Sequence, residues 1–144
     1  FRWKHAVDGG VISRPLVANG FVYFGSEDGK LYAVQASTGK LMWDYPTDGP
    51  IRCSPKIAEG HVFIGSDDFN FYAINLSTYQ KSWSIHAEGA VRSTPFITDD
   101  LIYFGTEGNE FICHLSQLKD PKKASKEDLA KCVDSGSAAY DPSN

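Results

Sequence analysis

The sequence predicts an all-β protein of repeated four-stranded antiparallel units, and three observations carry that expectation. Tryptophans recur at Trp3, Trp43 and Trp83, a fixed step of forty residues apart. Other columns keep the same step: Gly9, Gly49 and Gly89; Val11, Ile51 and Val91; Pro15, Pro55 and Pro95; Gly25, Gly65 and Gly105; Ser26, Ser66 and Thr106. Within each unit, short runs rich in β-branched and aromatic residues alternate with turn signals, as strands do and helices do not.

Unit one shows four strands in order. Residues 14–17 pass through Ala18-Asn19-Gly20 into 21–26; Glu27-Asp28-Gly29 turns into Lys30–Gln35; Ser37-Thr38-Gly39 turns into 40–45. Unit two repeats this with a strand at Ile57, then 61–66, Asn70–Asn75 and 80–85. Unit three supplies 95–98, 101–106 and 110–115, after which no matching fourth strand or tryptophan follows. The central runs Phe21-Val22-Tyr23-Phe24, His61-Val62-Phe63-Ile64 and Leu101-Ile102-Tyr103-Phe104 are nearly apolar on both parities, so both faces of each sheet are buried. Four antiparallel strands per forty residues, covered on both faces by neighbouring copies, describe a β-propeller blade. A β-sandwich needs no such period.

The expected architecture is a β-propeller fragment of four-stranded antiparallel blades. Two are complete, at about 11–50 and 51–90; one is partial, at 91–118; a strand remnant surrounds Trp3. Residues 119–144 read as a lysine-rich insertion or tail, where Ser125 followed by Glu127 and Asp128 marks the cap of a short helix. Closed propellers hold about 4 to 8 blades, so the expectation is an arc of a longer chain or a ring finished by association. An isolated arc exposes an apolar blade face, which predicts self-association.

Composition limits the function classes. A chain of 144 residues, 42% hydrophobic and 22% charged, fits one ordinary globular domain and excludes disorder, collagen and coiled coil. No apolar run approaches the roughly 18 to 20 residues of a transmembrane helix. Phe1 is neither an initiator nor part of a signal peptide, so any targeting signal is expected upstream. A net charge of −4 argues against a general nucleic-acid binder, which needs a basic surface. Three cysteines are too few and too scattered for a disulfide framework.

The segment Ala33-Val34-Gln35-Ala36-Ser37-Thr38-Gly39-Lys40-Leu41-Met42-Trp43 resembles the tryptophan-docking motif of PQQ-type, or quinoprotein-like, propellers, written A-x-D-x-x-T-G-x-x-x-W. Residues 73–83, from Ala73 to Trp83, match it again, and Ser54-Pro55 and Gly65-Ser66-Asp67-Asp68 resemble the family's upstream repeat. The likeness spans about residues 1–115. Gln35 and Asn75 stand where Asp is usual, Tyr79 replaces the turn glycine, and Cys113 and Leu115 occupy the Ala and Asp columns of unit three. The resemblance implies docking roles for Trp3, Ala33, Gly39, Trp43, Ala73 and Trp83, with the small alanines admitting a neighbouring indole. It implies two functions from different classes. One is a non-catalytic scaffold or sensor module that binds protein partners or its remaining blades. The other is a piece of a PQQ-dependent alcohol or sugar dehydrogenase, with PQQ and calcium held by blades outside this segment. Such relatives are often exported, which implies a periplasmic or extracellular setting.

The residues themselves show no catalytic constellation. Cys113-His114 lacks the earlier cysteine of a haem-attachment motif because Glu110 fills that place. Pairing of Cys113 with Cys132, or a zinc site adding His114, stands against buried free thiols. Gly25 to Lys30 lacks the spacing and the hydroxyl of a phosphate loop. Asn75-Leu76-Ser77 spells a glycosylation sequon, but Asn75 lies in the docking column, where its amide is expected to bond backbone. His5, His61 and His86 are expected at strand surfaces. In a four-strand meander the second turn and the inter-blade link share one end, which gathers Asp8, Asp48 and Glu88 from links and Glu27, Asp28, Asp67, Asp68 and Glu107 from turns. Arg52 and Arg92 approach the axial channel from that acidic end. They are candidates to bind an anionic group or a partner's carboxylate, or to pair with link acids such as Asp48 and Glu88.

Overall fold

The computed structural model describes residues 1–98, 101–108 and 111–115, which hold eleven strands and no helix. The tail at 119–144, with Cys132 and the expected short helix, lies outside the described residues, as do Asp99, Asp100 and Glu110. The first sheet runs β1 (Leu16–Ala18), β2 (Phe21–Gly25), β3 (Lys30–Gln35) and β4 (Leu41–Pro46) in sequence order. The second repeats it with β5 (Lys56–Ala58), β6 (His61–Gly65), β7 (Asn70–Asn75) and β8 (Lys81–His86). The third comprises β9 (Phe96–Ile97), β10 (Leu101–Gly105) and β11 (Phe111–Leu115). Every pairing is antiparallel.

Turn chemistry sets the registers. Asn19-Gly20 and Glu59-Gly60 form two-residue hairpin loops with positive φ at both positions (52° and 80°; 51° and 72°), the mirror-image turn whose twist matches the strands. At the third hairpin of each unit the register shifts by one residue, between Ala33 and Val34 and between Ala73 and Ile74, and the bulge bends the outer strand.

The core lies between sheets. Tyr23, Leu31 and Trp43 of the first sheet pack with Val62, Ile64, Tyr72 and Ile74 of the second, and the inter-sheet residues Ile51 and Cys53 join them. Phe63, Phe71 and Ala73 on the other face of the second sheet pack with Ile102 and Phe104 of the third. There Phe71 stacks on Phe104, ring centroids 4.1 Å apart at 7°, and burying each such ring stabilises by about 2 to 3 kcal/mol. The glycine and aliphatic columns of the sequence prove to be one device. A Cβ on Gly25 would stand 2.2 Å from Ile51, and one on Gly65 would stand 2.4 Å from Val91. The bare glycine of one blade receives the link side chain that leads to the next.

Residues 1–15 form no paired strand among the described residues, so the remnant expected around Trp3 is a docked arm rather than a strand. A strand needs a ladder partner, and the arm is held instead by side chains and by the Gly10 carbonyl, which accepts from the Glu27 amide. The Trp3 indole donates to the Ala36 carbonyl at 2.8 Å and lies over Gly39, whose φ is +73° and whose Cβ would stand 2.4 Å from the ring. Trp3 and Val7 cover Phe24, Tyr32 and Val34.

Candidate interaction rim

The docking alanines face a different indole from the one expected. Ala33 pairs across the ladder with Trp43 of its own sheet, and Ala73 with Trp83 of its own sheet. Alternation along β3 puts Ala33 on the face toward the second sheet and Val34 on the face toward Trp3. The small side chain therefore makes room for the blade's own tryptophan, while the neighbouring indole lands on the turn at Gly39. Trp43 is buried against Tyr23 and Tyr79, and Trp83 is half-buried against Phe63 and Phe71.

The two residues that stand in the motif's Asp column both have structural uses. Asn75 Oδ1 accepts from the Ser77 and Thr78 amides at 2.7 and 3.2 Å, closing the turn that Asp closes elsewhere. The longer Gln35 reaches the Thr38 hydroxyl at 2.7 Å instead.

At the rim, links and second turns interlock. The Glu27, Asp67 and Glu107 amides donate to the carbonyls of Gly10, Pro50 and Ala90 at 2.8, 2.8 and 3.0 Å. This brings the link and turn acids to one end, with Asp8, Asp48, Glu88 and Glu107 exposed. Asp28 and Asp68 are used locally. Their carboxylates accept from the Lys30 and Asn70 amides, both at 2.9 Å, and from the Tyr32 and Tyr72 hydroxyls. Desolvation pushes Asp28 up, but hydrogen bonds from Tyr32, Lys30, Ser26 and Asp8 outweigh it and leave the carboxyl below its ordinary value. Tyr32 and Tyr72 are driven well above the ordinary phenol value by burial and by these carboxylates.

The arginines take their carboxylates from the turns. Arg52 meets Glu27 at 3.2 Å and Asp67 at 3.0 Å. Arg92 grips Asp67 through two nitrogens at 2.8 and 2.9 Å and reaches Glu107 at 2.9 Å. Glu27, Arg52, Asp67, Arg92 and Glu107 thus alternate in sign across three sheets, and Asp67, the most buried acid of the series at 13% side-chain exposure, is shared by both cations. Each guanidinium is already neutralised by protein. Spacing missed the choice of turn acids, although Glu27, Asp67 and Glu107 share one forty-residue column.

The remaining reactive types are structural. Burial pushes the Cys53 thiol up to about 11, and its sulfur sits 2.9 Å from the Gly65 amide and 3.3 Å from the Gly65 carbonyl. Ser13 and Ser93 make the same pair of contacts to Gly25 and Gly105. His61, expected at the surface, is buried, because β6 is central in its sheet; its ring bridges the Glu59 carbonyl and Ser82 at 2.9 and 2.8 Å. No cluster of metal-ligating side chains occurs among the described residues.

These interlocked sheets can be set against known proteins. A family model described as Outer membrane protein assembly factor BamB matches residues 1–119. The chain belongs to that family. Among solved structures it is similar to BamB from Moraxella catarrhalis, at 18% identity and a TM-score of 0.70, over 78% of this chain and 36% of that one. It is also similar to quinohemoprotein alcohol dehydrogenase ADHIIG from Pseudomonas putida HK5, at 20% identity and 0.71, over 80% of this chain and 20% of that one. The computationally designed Ika4 protein matches at 14% identity and 0.67, over 78% and 73%. The chain thus spans about a third of the natural BamB chain and a fifth of the dehydrogenase. No curated protein matches. Family and neighbours agree on an all-β PQQ-like propeller built of antiparallel four-stranded blades.

Proposed function

We propose that this chain is a non-catalytic propeller module that binds a protein partner through its acidic rim. One observation carries the reading: Arg52 and Arg92 are each neutralised by turn carboxylates, while Asp8 and Asp48 stand exposed on the links of the same end. A surface of this sign attracts a basic partner surface and speeds its encounter at low salt. Kinship with an assembly factor family supports protein binding as the role, in an exported setting.

A photo-reactive residue at position 48, compared with one at position 59 on the opposite end, tests this. The reading expects a discrete protein adduct from position 48 that weakens as salt rises, and none from position 59. Adducts from position 59 alone contradict it. The second reading, part of a PQQ-dependent dehydrogenase, draws on the likeness to ADHIIG. Saturable quenching of tryptophan fluorescence by PQQ with calcium would favour it.

A further inference from the structure

We propose that the groove between the first strands of the first two sheets binds the phosphate group of a small phosphate ester, through Arg14, Lys56 and the hydroxyls of Ser54 and Thr94. This goes beyond the partner-binding reading, which concerns the acidic rim, and does not depend on it.

The proline column positions the site. Pro15, Pro55 and Pro95 stand directly before β1, β5 and β9, each an edge strand of its sheet among the described residues. Proline holds the residue before it in extended backbone, and those residues are Arg14, Ser54 and Thr94. They are chained from sheet to sheet. The Arg14 amide donates to Ser54 Oγ at 2.9 Å, and the Ser54 amide donates to Thr94 Oγ1 at 3.4 Å. Each hydroxyl accepts a backbone amide and so keeps its own proton for donation.

The groove that these residues line has a volume of about 350 Å³ and also takes in Lys56. No acidic side chain lines it. Arg14 and Lys56 form no ion pair among the described residues, in contrast to Arg52 and Arg92, which the turn carboxylates hold. Two cations and two hydroxyl donors thus share one concave surface in a chain of net charge −4. A phosphate monoester carries about 1.5 to 2 negative charges near neutral pH and three acceptor oxygens. The Arg14 fork takes two oxygens side by side, and the ammonium and hydroxyls have the third. A carboxylate, with one charge and two oxygens, satisfies fewer of these donors.

The ester's body has a place as well. Lys56 also lines an adjoining groove of about 370 Å³ on the other side of β5, walled by Ile57, Ala58, Phe96 and Ile97. Phe96 is 68% exposed there and offers an aromatic surface for a flat apolar group.

Titration of the full chain with inorganic phosphate, phenyl phosphate and benzoate at low salt, followed by amide NMR shifts, tests the proposal. Saturable shifts at Ser54 and Thr94 are expected, with phenyl phosphate binding about fivefold more tightly than inorganic phosphate and benzoate more weakly than phenyl phosphate. Arg14→Gln and Lys56→Gln should each weaken both phosphates about threefold or more, whereas Lys40→Gln, outside the groove, should weaken neither. Phe96→Ala should remove the advantage of phenyl phosphate and leave inorganic phosphate unchanged. Both cations are exposed, so an unshifted thermal midpoint verifies that the variants fold. Absence of saturation at tens of millimolar overturns the proposal. So does binding that neither Arg14→Gln nor Lys56→Gln alters, or benzoate binding as tightly as phenyl phosphate.

Discussion

Trp43 lies flat on Tyr79 across the junction of the first two sheets, ring centroids 4.9 Å apart and planes at 20°. Tyr79 holds φ at +59° in a turn where Gly39 holds +73°, so a strained backbone supports the ring that its neighbour needs. Left-handed backbone costs a non-glycine residue about 1 to 2 kcal/mol, and an aromatic stack returns about 0.5 to 1.5 kcal/mol beyond its buried area. Tyr79→Gly should therefore change stability by less than about 1 kcal/mol, whereas Tyr79→Ala, which keeps the strain and loses the stack, should cost about 1 to 2 kcal/mol. Chemical denaturation of the two variants checks the ordering.

Gly39 works the opposite way. Its hydrogen lies under the Trp3 ring, and a methyl group there meets the indole at 2.4 Å. Gly39→Ala should lift the arm and shift Trp3 emission to the red, with a loss of about 1 to 3 kcal/mol. The same change at Gly60, where nothing lies within 4 Å, adds only backbone strain and should leave the emission unchanged.

Glu59 opens the β5–β6 hairpin at φ +51°, in the place that Asn19 takes in the first unit. Asparagine tolerates this region far better. Glu59→Asn should stabilise the fold by about 0.5 to 1 kcal/mol, read as a higher midpoint of thermal unfolding.

The Asp–Tyr pairs predict sensitivity at both ends of the pH scale. The folded-state pKa of Asp28 is depressed, so its contribution is present above the unfolded value of about 3.9 and is lost as pH falls through the folded value. Tyr32 and Tyr72 are raised, so the unfolded state ionises first and stability falls as pH climbs past about 10. Tyr32→Phe should flatten the alkaline arm of the stability profile, and Asp28→Asn the acid arm.

The sheets were legible because blades repeat: the glycine column at Gly25 and Gly65 and the tryptophans Trp3 and Trp43 mark contacts between neighbours, and the apolar double parity of residues 61–64 announced a sheet covered on both faces. The end at which the acids gather followed from meander topology alone. Which carboxylate each arginine takes did not, because reach and torsion decide between Asp48 and Asp67, two residues at the same rim. The facing of Ala33 was hidden for a similar reason. A motif in one dimension names the residues that meet an indole, while strand parity decides whose indole it is.

The central claim is that Arg52 and Arg92 serve the architecture and leave the rim acids to the partner. Asp67→Asn tests this most directly, because it leaves both cations short of a carboxylate at once. Thermal unfolding should fall by about 2 to 5 °C, beyond the sum of Glu27→Gln and Glu107→Gln, while partner adducts at position 48 persist. A midpoint unmoved by Asp67→Asn, with the adducts abolished, would place the arginines in the binding site and contradict the account.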